Sequence, residues 1–213
     1  MRLLLALAAL LTATLANAGG GFVGTAGKFD YYVLTLSWEP AYCSQPNADP
    51  QECSGTNHGF VLHGLWPQMQ SGGYPETCPS SFHLDPPALQ YQKQNGVFPS
   101  EGLLQHEWTT HGTCDGRDAI EYIKEAEAAH ASIKIPDALS ADGSHSPMTA
   151  DAISQAFRQA NPSLTNRAAA VHCGGKQLKE VQFCLGKDLH PMTCGTGVQT
   201  ACPKGQLQLQ GKH

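Results

Sequence analysis

The chain has 213 residues, 41% of them hydrophobic, and its 13 lysines and arginines are outnumbered by 18 aspartates and glutamates, for a formal net charge of −5. This length suits one domain with a sizeable core, and the acidic balance excludes a surface that attracts nucleic acid through its overall charge. A polyanion can still bind at a local cationic pocket, because the ten histidines gain positive charge as the pH falls toward about 6.

Residues 1–18 have the pattern of a secretory signal peptide. Arg2 precedes an unbroken apolar run at residues 3–11, and the small-residue sequence Ala-Asn-Ala closes the segment at residues 16–18. The run is shorter than the roughly 18 apolar residues of a transmembrane helix. We therefore predict a monomer that is exported to the periplasm or the medium without membrane association, with a single mature domain over residues 19–213.

Cysteines follow this export signal in an even number. An even count in an exported chain indicates disulfides in an oxidising compartment. The absence of any Cys-x-x-Cys pair disfavours structural zinc, and spacing alone leaves the pairing open. The eight cysteines are Cys43, Cys53, Cys78, Cys114, Cys173, Cys184, Cys194 and Cys202.

The first half of the mature chain predicts two strands separated by loops. Residues 29–38 are rich in aromatic and β-branched side chains, which favours a strand. The apolar run at residues 59–65 predicts a short buried strand that carries His63 and ends at Trp66, because Pro67 follows. Loops are predicted for the polar stretches 41–58 and 69–87.

The second half predicts helices and then two more strands. The strands are joined through a Gly-Gly connection, and the tail from residue 186 is a loop crossed by cysteines. The helices are predicted over residues 86–95, 101–111, 118–133 and 149–160, the last capped by Thr149, and the strands over residues 168–173 and 177–185.

Residues 105–114 read Gln-His-Glu-Trp-Thr-Thr-His-Gly-Thr-Cys and lie at the end of a predicted helix. Glu107 and His111 are four residues apart and share a helical face. A carboxylate beside an imidazole favours its protonated form and fixes its orientation, as a proton-transferring histidine requires. His106 lies about 140° around the helix from His111, so it reaches the same pocket only where the helix bends or ends.

A zinc protease is one alternative for this segment, because His106 and Glu107 resemble the start of the motif His-Glu-x-x-His. Here the second histidine, His111, comes one residue late. Two zinc ligands must project from one helical face at an interval of four residues. The spacing therefore disfavours a zinc protease, and we expect no metal and no cofactor.

His63, Glu107 and His111 suit a reaction in which the substrate carries its own nucleophile, since no serine or cysteine nucleophile pattern is present. RNA has such a nucleophile in its 2′-OH. One histidine can remove that proton while another protonates the leaving 5′-oxygen, which gives a 2′,3′-cyclic phosphate without a metal. Trp66 and Tyr74 offer aromatic faces on which a base can stack.

Residues 60–67, Phe-Val-Leu-His-Gly-Leu-Trp-Pro, and residues 106–114, His-Glu-Trp-Thr-Thr-His-Gly-Thr-Cys, resemble the two active-site segments of the ribonuclease T2 family in order and spacing. The resemblance extends to the strands at residues 31–38 and 177–184 and covers nearly all of the mature chain. It implies an α+β fold with a central antiparallel sheet flanked by helices. The implied function is that of a metal-independent endoribonuclease.

The resemblance also implies roles for individual residues. His111 would be the general base and His63 the general acid, and His106 would hold the phosphate. Glu107 would assist at the pentacoordinate phosphorus. The first base would be contacted by Trp66 and Tyr74, with Gln68 nearby, and a second base site would lie near residues 98–100. The bridge most characteristic of the family is Cys78–Cys114; we further predict a local Cys43–Cys53 bridge and the nested pairs Cys173–Cys202 and Cys184–Cys194.

The chain departs from the family pattern at two positions. Thr110 replaces a lysine that commonly precedes the second catalytic histidine, so turnover is expected to fall unless another cation, such as His58, substitutes. Some family members have an acidic base-reading residue at the position of Gln68, whose amide can both donate and accept, which predicts low base specificity. The alternative is a catalytically weakened relative that acts as an RNA-binding or protein-interaction module.

The remaining aromatic and histidine residues have plainer interpretations. We expect Trp38 and Trp108 in the core. Structural roles are expected for His83, His130, His145, His172, His190 and His213.

Overall fold

The structure is a computed structural model that describes residues 20–54, 59–141 and 146–209. The predicted signal peptide lies outside these residues, as do His58, His145 and His213. None of the helices in the described ranges combines the length and the apolar character that crossing a membrane requires.

The described residues form an α+β fold around a four-stranded antiparallel sheet, as predicted. The sheet has the order β3-β2-β6-β5, and a separate parallel pair joins β1 to β4. The strands are β1 (Gly21–Val23), β2 (Tyr31–Trp38), β3 (Phe60–Gln68), β4 (Tyr74–Glu76), β5 (Ala169–Gly174) and β6 (Gln177–Leu185).

Helices flank this sheet. The four longer helices start according to the capping rules. The side chains of Asp85, Ser100, Asp118 and Thr149 each accept a hydrogen bond from a backbone N–H in the first turn that follows. The helices are α1 (Glu39–Cys43), α2 (Pro50–Cys53), α3 (Pro86–Asn95), α4 (Glu101–Thr110), α5 (Ala119–Ala131) and α6 (Ala150–Ala160), and short 3₁₀ turns occur at Gly112–Cys114 and Asp137–Leu139.

The two faces of the sheet have different surroundings, because strand side chains alternate. On β2, Leu34, Leu36 and Trp38 point into the main hydrophobic core, which also contains Trp108 and the buried side of α5. Tyr31 and Val33 point to the opposite face. We call this opposite face the site face, since it carries the residues described below.

Several element boundaries differ from the sequence prediction. The stretch predicted as a loop at residues 41–58 contains the end of α1 and all of α2, and the loop predicted at 69–87 contains β4. The strand predicted to end at Trp66 continues through Pro67 to Gln68. β3 lies at the edge of the sheet, where the missing N–H of a proline can face away from its neighbour without loss of a ladder hydrogen bond.

Four disulfides join the eight cysteines, in the predicted pairs. Cys78–Cys114 ties the segment after β4 to the 3₁₀ turn that follows α4. The other three bridges are Cys43–Cys53, Cys173–Cys202 and Cys184–Cys194.

Candidate active site

His63 reaches the site face through an irregularity in β3. Thr35 of β2 pairs with Gly64, and Leu36 pairs with Leu62, so the register passes over His63. One extra residue of this kind is a β-bulge, which re-aims a side chain that regular alternation would send to the other face. The His63 side chain is 30% exposed.

Glu107 lies against β3 in the interior of the site. Its side chain is 1% exposed, and its Oε2 accepts a 2.6 Å hydrogen bond from Trp66 Nε1. Its Oε1 lies 3.6 Å from His63 Nε2. Gly64 makes this approach possible, because a Cβ atom there would overlap both the carboxylate of Glu107 and the indole nitrogen of Trp66.

His111 is the C-cap residue of α4. Its N–H still bonds to the carbonyl of Glu107 at 2.9 Å, but its φ of −115° departs from the helical value of about −63°. Its ring lies 5.1 Å from the Trp66 ring and 6.0 Å from the Tyr74 ring, between centroids. His111 is 8% exposed, and its buried Nδ1 has no hydrogen-bond partner among the described residues.

The end of α4 thus separates two residues that the helical spacing placed together. The carboxyl group of Glu107 contacts Trp66 and His63, whereas the His111 ring packs beside Trp66 and Tyr74. Trp66 lies between the two histidine rings, 5.2 Å from His63 and 5.1 Å from His111. The site therefore consists of two imidazoles on either side of one indole.

The surroundings move the pKa values of the two imidazoles in opposite directions. Burial, reinforced by the positive charge of neighbouring histidines, lowers the pKa of His111 to about 3. Burial acts in the same direction on His63, but a hydrogen bond with Glu180 opposes it. With the added negative charges of Glu107 and Glu52, the pKa of His63 is raised above its ordinary value. His63 favours its protonated form, and His111 favours its neutral form.

Glu107 also has an altered pKa. Burial raises it to about 7, although the positive charge of His63 and the hydrogen bond from Trp66 act in the opposite direction. In mildly acidic solution its carboxyl group is therefore neutral and carries a proton that it can donate.

A cavity of about 220 Å³ opens beside His111 on the site face. Three of the residues predicted to bind a base line this cavity. Trp66 and Tyr74 contribute aromatic surfaces, and the buried Gln68 contributes its amide. Two residues that the sequence analysis did not select, His172 and Gln182, also line the cavity.

The structure brings most of the predicted site residues together. Trp66 contacts His63, Glu107 and His111. His106 is exposed on α4 and acts on His111 through its charge. Within the described residues, no group of three or more histidine, cysteine, aspartate or glutamate side chains is arranged to hold a metal ion.

Glu180 is a site residue that the sequence analysis missed. Its Oε2 lies 3.4 Å from His63 Nδ1. It belongs to β6, where Glu180 and Gln182 interrupt an otherwise apolar strand end. Polar residues two apart in a mostly buried strand share a face, and that pattern is the signal from which a polar site face can be inferred.

Comparison with known proteins gives consistent matches. The model of the Ribonuclease T2 family matches residues 29–194. A ribonuclease of Aeromonas hydrophila is 38% identical over 186 residues, which span 83% of this chain and 81% of the relative. Among solved structures, an RNase-related protein from Calystegia sepium has a TM-score of 0.67 at 22% identity and covers 85% of this chain and 97% of its own. Ribonuclease MC1 from bitter gourd seeds has a TM-score of 0.63 at 24% identity, with 82% and 95% covered.

Proposed function

The chain belongs to the ribonuclease T2 family and is an endoribonuclease, and we propose that it cleaves single-stranded RNA by transphosphorylation through a 2′,3′-cyclic phosphate. The observation that carries this mechanism is the pair of imidazoles whose pKa values are displaced in opposite directions, upward for His63 and downward for His111. Such a divergence is how one site supplies an acid and a base at the same pH.

In this mechanism His111 is the general base. Its neutral ring can accept the proton of the 2′-OH, and the attack of that oxygen on phosphorus then releases the 5′-oxygen. His63 is the general acid and protonates the leaving oxygen. Water can open the cyclic product with the two histidines in exchanged roles.

Glu107 and His106 are proposed to act on the phosphate. With a pKa near 7, Glu107 can donate a hydrogen bond from its neutral carboxyl group to a phosphate oxygen, which becomes more negative in the transition state. Trp66 fixes one carboxyl oxygen and leaves the other toward His63. His106 is exposed beside the site and can add positive charge.

The base on the 5′ side of the cleaved bond is proposed to occupy the cavity beside His111. Trp66 and Tyr74 can stack on any base. The amide of Gln68 can present either a donor or an acceptor, which favours low base specificity. The four disulfides support export to the periplasm or the medium. We further propose that residues 19–213 form one domain that acts as a monomer on RNA, without a membrane, metal or cofactor.

Product analysis across the pH range tests this function. Purified protein is incubated with single-stranded RNA homopolymers in EDTA, and terminal 2′,3′-cyclic phosphate is measured by mass spectrometry. We expect a bell-shaped dependence of kcat/KM on pH with its optimum below about 7, because His111 must be neutral and His63 protonated. His63→Ala and His111→Ala should each abolish product, whereas His190→Ala, at an exposed histidine, should not.

Two results would contradict the proposal. One is the absence of cyclic product from folded protein at every pH from about 4 to 8. The other is activity that is lost in EDTA and restored by zinc, which would support the zinc-dependent alternative.

A further inference from the structure

We propose that Glu180 is a positioning residue that holds the Nδ1 side of His63, so that Nε2 is the nitrogen that delivers the proton. The inference rests on the proposed function, since it refines how the general acid works. Its support comes from strand register, from the contacts of the carboxylate and from the charges around His63.

Strand register places Glu180 on the site face. Glu180 of β6 lies opposite Ser37 of β2 on one side and opposite His172 of β5 on the other. β2 and β6 are the two central strands of the sheet. The carboxylate is therefore carried by backbone that is hydrogen-bonded on both sides, which is a rigid support for a positioning group.

The contacts of Glu180 restrain both of its oxygens. Oε1 accepts a 3.1 Å hydrogen bond from the Gln182 side chain, and Oε2 lies 3.4 Å from His63 Nδ1. The side chain of Glu180 is 20% exposed. Because one oxygen is tied within its own strand, the other has a fixed direction toward the imidazole.

The charges around His63 distinguish Glu180 from the other carboxylates. Burial raises the pKa of Glu180, but its hydrogen bond with His63 and the charges of His63 and His172 outweigh burial and lower it. The pKa of Glu107 is instead raised to about 7. In mildly acidic solution Glu180 is therefore ionised while Glu107 is neutral. Glu52 of α2 adds a further negative charge near His63. His111, on the other side of Trp66, is a neutral ring.

This arrangement fixes the tautomer of His63. A carboxylate that accepts from Nδ1–H keeps a proton on that nitrogen in both protonation states, so only Nε2 gains and loses a proton. After His63 has donated from Nε2, that nitrogen is left as an acceptor. The same orientation then serves the hydrolysis of the cyclic phosphate, in which His63 is the base.

Substitutions at Glu180 test this role through the pH dependence of cleavage. We expect Glu180→Ala to lower kcat by roughly ten- to a hundredfold and to leave KM within about twofold. Loss of the negative charge lowers the pKa of His63. The basic limb of the pH profile, where the rate falls as His63 loses its proton, should therefore move about one unit toward lower pH. Glu180→Gln keeps the shape and an acceptor oxygen. It should show the same shift of the basic limb with a smaller loss of kcat.

Glu121→Gln is the matched control, because Glu121 is an exposed residue of α5 and loses the same charge outside the site. Its kcat and pH profile should equal those of the unsubstituted protein. Partial recovery of kcat and of the basic limb in Glu180→Asp, relative to Glu180→Ala, would support a role for the carboxylate itself. An active protein whose Glu180→Gln and Glu180→Ala variants have unchanged kcat and unchanged basic limb would overturn the proposal.

A measurement that does not need activity separates this proposal from the proposed function. The pKa of His63 is followed by NMR from its Cε1–H signal, in the unsubstituted protein and in Glu180→Gln. We expect a lower pKa of His63 in Glu180→Gln and no change in Glu121→Gln. An unchanged value would reject Glu180 as the partner of His63, whether or not the protein cleaves RNA.

Discussion

The proposed mechanism depends on the protonation states of single side chains. Among these, Glu107 is unusual because it is a carboxyl group that is almost completely buried. It is almost fully buried against Trp66 and His63, and its pKa is raised to about 7. A neutral carboxyl group and an amide have the same shape, and both can donate a hydrogen bond. The replacement of Glu107 by glutamine should therefore be far milder than its removal.

We expect Glu107→Gln to retain kcat within about tenfold at pH 5, and Glu107→Ala to lose a further hundredfold or so, in line with the cost of one transition-state hydrogen-bond donor. Steady-state cleavage of a dinucleoside phosphate measures both values. The comparison is made at pH 5 because the pKa of Glu107 is about 7, so the native carboxyl group is neutral there like the amide that replaces it. Equal losses in the two variants at pH 5 would show that the proton on Glu107 is not used.

Thr110 is a second residue that we expect to limit the rate. Its side chain is half-buried three residues after Glu107, at the end of α4. We expect Thr110→Lys to raise kcat by about tenfold, the equivalent of roughly 1.4 kcal/mol, because an ammonium group can stabilise charge on the phosphate. Thr109→Lys adds the same charge at an exposed neighbouring position and should have little effect. An equal or lower rate in folded Thr110→Lys would contradict the expected benefit of the cation.

Elements position these side chains through two local departures from regularity. The bulge in β3 turns His63 toward the site face, and the end of α4 turns His111 away from Glu107. Gly64, next to the bulge, leaves room for the carboxylate and the indole. The positions of His63 and His111 thus depend on irregularities within a strand and at a helix end.

Gly64→Ala tests this dependence. The added methyl group must displace Glu107 or Trp66, so we expect a loss of about 1–3 kcal/mol in the free energy of unfolding and at least a hundredfold loss of kcat. Denaturant unfolding and steady-state kinetics measure the two effects. Gly102→Ala is the control, because its Cβ meets nothing closer than 3.6 Å and alanine favours the helix there. Normal activity in Gly64→Ala would mean that the carboxyl–indole contact is dispensable.

The same elements explain what could be predicted from the sequence. Hydrophobic periodicity and caps located the four strands of the main sheet and the four longer helices, since these signals are local. Two short contiguous segments contain His63, Trp66 and the site residues of α4, so these residues could be identified from the sequence. Glu180 was not visible because it is 117 residues from His63 along the chain, and only strand register brings the two together. The bulge at His63 leaves no signal in a hydrophobic pattern.

At the scale of the whole molecule, the disulfides connect parts of the site that strand pairing leaves separate. Cys78–Cys114 links the segment after β4, which carries Tyr74, to the turn after His111. The two cysteines are 36 residues apart in the sequence. The bridge therefore restrains both His111, the proposed general base, and the cavity proposed to bind a base.

We expect the double variant Cys78→Ala/Cys114→Ala to lose about 2–5 kcal/mol in the free energy of unfolding and to raise KM, because Tyr74 and His111 are no longer tied together. Cys173→Ala/Cys202→Ala removes a bridge of similar separation, 29 residues, and should cost comparable stability with less effect on KM. Denaturant titration and kinetics on folded protein compare the two. The idea fails if both variants change KM equally.

The Cys78–Cys114 bridge also affects how active the newly made chain can be inside the cell that produces it. In a compartment kept reducing by thiols the bridge does not form, so a newly made chain lacks the clamp between its base cavity and its general base. The RNA of the producing cell would then be exposed only to a less active form of the enzyme. Under the export proposed above, the bridge would form only in oxidising surroundings, and full activity would follow export.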